Sequence, residues 1–253
     1  MIIEVHRKVN NNVGDLYCNP SRYFDLGEVS SEELLYNNSD IKNNTLVIGG
    51  GGLIHKKFSN HIKNLLDKNP KNSVLWGIGH NFGPKFESKS LTDPYYPNWT
   101  KSCTLVGIRD YIIGHYDTYL PCVSCMHPAF NKKYTEEHEV VYFTHAFKSK
   151  YAGSNFPHMK NNEMNFDKVI SFLASGRTVV TDSYHGAYWA QLLGKNVHTV
   201  SWSVKFNYMK HRPNFLTNIN DTNLPKISNS IDGFLDECKS LNQKFYRKYQ
   251  SLK

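Results

Sequence analysis

From residue 45 to residue 202 the chain repeats one pattern: a short aliphatic run, a polar or glycine-rich break, then a segment with helical spacing. Thr45-Leu46-Val47-Ile48 leads into Gly49, Gly50, Gly51 and Gly52, and residues 56–68 follow with Phe58, Ile62, Leu65 and Leu66 on one helical face. Ser73-Val74-Leu75-Trp76 runs into Gly77-Ile78-Gly79, and a third run over 104–108 ends on Arg109-Asp110. Strands apolar on both faces and separated by helices make a parallel sheet with crossover helices. The opening residues 1–6 are a further short apolar run, which Asn10-Asn11-Asn12-Val13-Gly14-Asp15 breaks with turn formers.

Residues 120–131, with Pro121, Pro128 and Cys122-Val123-Ser124-Cys125, interrupt the alternation and read as a linker. The pattern then restarts. A strand over 139–144 precedes a helix over 166–175 closed by Gly176, a strand over 177–182, a helix over 184–193 stopped at Gly194, and a strand over 196–202. An amphipathic helix over 231–249 follows. This predicts an α/β protein of two Rossmann-like parallel-sheet lobes, 1–132 and 133–253, with a ligand cleft between them. A chain of 253 residues can bury a core in each.

Hydrophobic residues make up 40% of the chain and charged ones 21%, of both signs, which excludes disorder. No apolar run nears the roughly 18 residues that span a bilayer, and the opening carries no signal-peptide pattern, so a cytoplasmic location is expected. The net charge of +8 suits an anionic partner: nucleic acid, an acidic membrane or a phosphorylated substrate. Its lysines and arginines are scattered, as on a solvated surface, so no nucleic-acid footprint is read. The exception is Lys239, Lys244, Arg247, Lys248 and Lys253, which fits either a solvated helix face or peripheral contact with an acidic membrane. The five cysteines include one Cys-x-x-Cys without a second pair at zinc spacing, and are expected to be reduced. Neither a metal nor a resident cofactor is expected.

Open α/β sheets bind ligands beyond the carboxyl ends of their strands. The residues standing there are Asp15, Gly50 and Gly51, His80, Arg109, His145, the run Asp182-Ser183-Tyr184-His185-Gly186, and Lys205. The glycine run can cradle an anion with its amides or simply make a tight turn. His185 falls at a strand-to-helix junction, where exposed amides and the helix dipole favour an anion beside a proton donor. A capped helix, with Asp182 or Ser183 as the cap, explains it without function. Arg109 offers a fork for carboxylate or phosphate, and an internal pairing with Asp110 explains it equally. For His80 and His145 a buried structural histidine is the simpler account, and a single lysine such as Lys205 is usually a surface residue.

Taken in order, Asn12-Val13-Gly14-Asp15, Val47-Ile48-Gly49-Gly50-Gly51, Trp76-Gly77-Ile78-Gly79-His80, Val106-Gly107-Ile108-Arg109-Asp110 and Val179-Val180-Thr181-Asp182-Ser183-Tyr184-His185-Gly186-Ala187 resemble the polysaccharide pyruvyl transferase family. The resemblance spans roughly residues 10–205, and the last motif is the strongest. It implies a GT-B-like fold and transfer of the pyruvyl group of phosphoenolpyruvate to a sugar of a glycan or glycolipid precursor, forming a ketal and releasing phosphate. It further implies His185 as the acid that protonates the methylene carbon, and Arg109 and Lys205 as donor-binding cations. Ser183 and Tyr184 fall at donor-binding positions, Ser183 where members often carry Arg. No metal or nucleotide is implied. Two other readings stand beside it: a GT-B-like glycosyltransferase using a nucleotide sugar, and a non-catalytic glycan-binding relative.

Overall fold

The aliphatic runs become strands of two parallel sheets, the run that ends at Ile108 at an edge and the others inside. A computed structural model describes residues 1–8, 11–36, 40–83, 96–112, 116–221, 223–224 and 231–253; Asn10, in the first turn read from the sequence, lies outside them. The chain opens with β1 (Ile2–His6), α1 (Val13–Leu16), β2 (Val29–Glu33), β3 (Thr45–Ile54), α2 (Lys56–Leu66), β4 (Asn72–His80) and β5 (Leu105–Ile108). Their sheet has the order β2-β1-β3-β4-β5. After the connector come β6 (His138–Thr144), β7 (His158–Lys160), α3 (Phe166–Ser175), β8 (Gly176–Thr181), α4 (Tyr184–Leu192), β9 (Asn196–Thr199) and β10 (Asn214–Phe215), in the order β10-β9-β8-β6-β7. The strand pairings in both sheets are parallel, so each is Rossmann-like.

The strands that the sequence does not announce are edges. Polar Val29-Ser30-Ser31-Glu32-Glu33 and the two short strands β7 and β10 lie outermost, where water replaces a covering helix and no apolar run is needed.

The glycine run differs from its expected place after a strand. β3 continues through it to Ile54. The segment after α1 crosses β3 here: Gly50 N donates to Cys18 O at 3.1 Å, and a Cβ on Gly50 would lie 2.9 Å from that oxygen. Gly51 takes φ +97° where the β3–β4 register shifts. These glycines let two backbones touch. Gly50 and Gly51 do not line the cavity described below; of the run only Gly52 does.

The helix α5 (Phe234–Gln250) also departs from its expected lobe. Its first turns pack Phe234 and Cys238 among Tyr188, Ala190 and other residues of the second core. Its last turns pack Phe245 and Tyr249 on Val47, Val74 and Trp76 of the first sheet. Fully buried Asn242 marks the crossing, accepting from Trp76 Nε1 at 3.0 Å and donating to Pro121 O at 3.2 Å. A boundary at 132 separates the sheets, but not this helix. The connector itself is two short 3-10 turns, Val123–Met126 and Pro128–Asn131, and all five cysteines are free thiols.

Candidate active site

Three carboxyl-end segments meet at a cavity of about 180 Å³. The first is α1. Asn12 caps it, accepting from Gly14 N at 3.1 Å, and its amide donates to Asp15 Oδ2 at 2.9 Å. Val13 N donates to Asn161 O at 2.9 Å, which ties this turn of the first lobe to the loop after β7. Asp15 thereby enters the cavity.

The second is the start of α4. Ser183 is the N-cap, accepting from Gly186 N at 3.4 Å, while Asp182 turns away to accept from His145 N at 2.6 Å. His185 occupies the first turn. Gly186 lets that turn sit on the sheet, since a Cβ there would fall 2.5 Å from Phe143. The third is the turn Val204–Phe206, held to the end of β4 by Val204 N donating to Phe82 O at 3.1 Å and Ser203 Oγ to Asn81 Oδ1 at 3.3 Å. It carries Lys205.

Arg109 follows β5 and is 3% exposed, with its guanidinium 3.9 Å above the Tyr184 ring. Its Nε and Nη1 find no hydrogen-bond partner among the described residues. No ion pair within 4 Å joins Arg109 to Asp110, whose Oδ2 accepts from His80 N at 2.7 Å and meets His80 Nδ1 at 2.6 Å, although the Asp110 charge still acts on the guanidinium. A buried cation with free donors is costly to keep unpaired and well suited to binding an anion.

Lys205 and Lys148 reinforce that charge, their ammonium groups 3.8 and 3.7 Å from the centre of the Trp202 ring. Arg7 also lines the cavity while paired to Glu33 at 2.8 Å. Asp15 is the carboxylate among the described lining residues. Burial, then Arg109, hold the Lys205 amine well below its ordinary range. Burial, then Arg109 and Lys205, push the His185 imidazole well down, so it is neutral at neutral pH. Burial raises Asp15 against the pull of Lys205 and Arg109. His145, also on the cavity, is lowered to about 4 by burial and by Lys205 and Lys148. An arriving anion counters the downward shifts, drawing protons onto His185 and Lys205, and adds to the upward shift of Asp15.

The structure thus brings together His185, Arg109, Lys205, Ser183, Tyr184, Asp15 and His145. It leaves out His80, whose ring packs among Phe82, Tyr96 and Tyr208 behind the site, and Gly50 and Gly51, which serve the crossing of backbones. Sequence reasoning missed Arg7, Asn81, Lys148 and Trp202. Arg7 and Asn81 each stand one residue beyond the end of a strand, so the strand-end rule could have found them. Lys148 and Trp202 are placed by loops.

The buried imidazoles set a pH dependence. His185, His145, His6 and His198 all bind protons less readily folded than unfolded, with burial the first cause in each. Their stabilisation is complete above the ordinary imidazole pKa of about 6.5 and is lost as pH falls below it. Asp15 and Asp182, raised by burial, act in the opposite sense, but only nearer the carboxylate range. Urea midpoints of the ligand-free protein are therefore expected to fall from about pH 7 to about pH 5. A flat or rising series would refute neutral buried histidines.

No protein-family model matches the chain, and no curated protein matches it. Among solved structures, the crystal structure of an uncharacterized protein from Klebsiella pneumoniae subsp. pneumoniae NTUH-K2044 is similar, with a TM-score of 0.50 and 16% sequence identity over 85% of this chain and 92% of that one. The likeness is one of fold. No helix among the described residues is long and apolar enough to cross a membrane.

Proposed function

We propose that the two lobes form a GT-B-like pair whose cleft binds phosphoenolpyruvate and transfers its pyruvyl group to two hydroxyls of a glycan or glycolipid precursor. The observation that carries this reading is the buried Arg109 guanidinium, two of whose nitrogens lack hydrogen-bond partners, in a small cationic cavity beside a neutral His185. Pockets for drug-sized ligands run to roughly 300–1,000 Å³. A cavity of about 180 Å³ suits a three-carbon phosphorylated acid better than a nucleotide sugar.

In this mechanism Arg109 takes the carboxylate or phosphate through its fork, and Lys205 and Lys148 neutralise the rest of the donor's charge. The bound anion raises the affinity of His185 for a proton. His185 gives that proton to the methylene carbon, leaving an oxocarbenium-like centre at C2. One acceptor hydroxyl adds there, phosphate departs, and the second hydroxyl closes the ketal. Of the two hydroxyl protons released, one restores His185 and one leaves with phosphate. Asp15 is positioned to accept a hydroxyl proton in transit.

Thermal unfolding tests the donor assignment. Saturation to about 100 times Kd stabilises a native state by about 2.7 kcal/mol, or roughly 5–10 °C for a chain of this size. Phosphoenolpyruvate is expected to give such a shift and Arg109→Ala to abolish it. A shift with nucleotide sugars alone would turn the reading to glycosyl transfer, and no shift with any of them to a non-catalytic relative.

A further inference from the structure

A histidine that moves a proton has two nitrogens, and the surroundings of His185 distinguish them. Nε2 faces the interior, 3.6 Å from Cys122 Sγ. The opposite edge lies along α1, where the absence of a side chain makes room: a Cβ on Gly14 would fall 2.0 Å from Nδ1. Asn12 and Asp15, on either side of Val13 and Gly14, line the cavity with His185. With Nε2 turned to Cys122, Nδ1 is the nitrogen left for exchange with a ligand in that cavity.

The groups behind Nε2 agree with that division. The Trp189 indole can only donate, and does so to Ser124 Oγ at 3.0 Å. Ser124 Oγ lies 3.3 Å from Cys122 Sγ, a contact in which either atom can donate. Burial pushes the Cys122 thiol up, so it stays protonated, and its sulfur keeps lone pairs that can accept from Nε2–H. Neutral and doubly protonated imidazole both carry a proton on Nε2 in this arrangement, so the contact survives each turn of proton transfer. The reverse arrangement, thiol donating to Nε2, would break whenever the ring is charged. The loop is fixed from its other side, where Tyr188 OH donates to Cys122 O at 2.9 Å, and the Trp189 ring lies 5.2 Å from the imidazole.

We propose that Nδ1 is the nitrogen of His185 that meets substrate, and that Cys122 is its positioning residue, accepting Nε2–H and holding the ring in the one tautomer that leaves Nδ1 open to the cavity. The assignment deepens the reading of His185 as the proton donor and rests on it for its catalytic meaning. The tautomer itself is measured without substrate or turnover, so the two fail separately.

Long-range proton–nitrogen correlation spectra of histidine-labelled protein near pH 7.5, with His185 assigned through His185→Gln, read it directly. The expected result is an Nε2–H ring in the ligand-free protein, with Nδ1 moving from the pyridine-type to the protonated position when inorganic phosphate or phosphoenolpyruvate is added. Cys122→Ala is expected to mix the two tautomers and Cys122→Ser to restore the single form. In turnover, Cys122→Ala is expected to lower kcat roughly tenfold, the low end for partners that orient a working histidine, with the phosphoenolpyruvate-induced thermal shift retained. An Nδ1–H ring in the ligand-free protein would overturn the assignment of the working nitrogen. A tautomer and kcat unchanged in Cys122→Ala would overturn the role of Cys122.

Discussion

His185→Gln is expected to lower turnover roughly 10²–10⁴-fold, the range a positioned general acid contributes, while leaving the thermal response to phosphoenolpyruvate in place. Glutamine is near enough in size to keep the first turn of α4 seated under Gly14, where a Cβ would meet the present ring within 3 Å. It can offer a hydrogen bond but cannot protonate a carbon. The donor's charge is held instead by Arg109, Lys205 and Lys148, which the substitution leaves untouched. Phosphate release from phosphoenolpyruvate, with a panel of hexopyranosides bearing free neighbouring hydroxyls, gives the rate. Unfolding curves of the same variant give binding. Undiminished turnover would remove His185 from the chemistry, and loss of the thermal response would make it a binding residue.

The second large effect runs against the usual direction of core substitutions. Arg109→Met is expected to stabilise the ligand-free protein by about 1–3 kcal/mol, the cost of buried polar groups left unsatisfied, which at this size raises Tm by roughly 2–10 °C. The native guanidinium is buried with two nitrogens lacking partners, and its positive charge depresses both His185 and Lys205. Methionine fills similar volume and still packs on Tyr184. The same variant is expected to lose the response to phosphoenolpyruvate altogether. Stability and ligand response would then move in opposite directions at one residue, as they do where a site is built for a charge that arrives later. A Tm lowered by a comparable amount would mean that Arg109 serves the fold.

Much of this was readable in the sequence because unbroken aliphatic runs admit few alternatives. The cores of β3, β4, β6 and β8 need no tertiary information, and the ends of the strands point to Arg109, His185 and Lys205. The glycine run could not be read correctly from its own residues. Whether four glycines form a turn or a crossing depends on Cys18, 32 residues earlier, whose backbone lies over Gly50. Trp202 and Lys148 reach the cavity from loops that carry no periodicity, and Cys122 meets His185 across 63 residues of sequence. α4 carries no amphipathic stripe, since all nine of its residues are buried, and its helix was legible from its length and from Gly194 at its end.

The path of α5 bears on how the protein is made. The Trp76 face of the first sheet is covered by a helix whose Asn242 lies 166 residues further along the chain. At ribosomal rates of 5–20 residues per second, that separation means a wait of roughly 10–30 s during which Val47, Val74 and Trp76 lack the part of their cover that Phe245 and Tyr249 supply. The same helix supplies Phe234 and Cys238 to the second core, so one late element completes both lobes together.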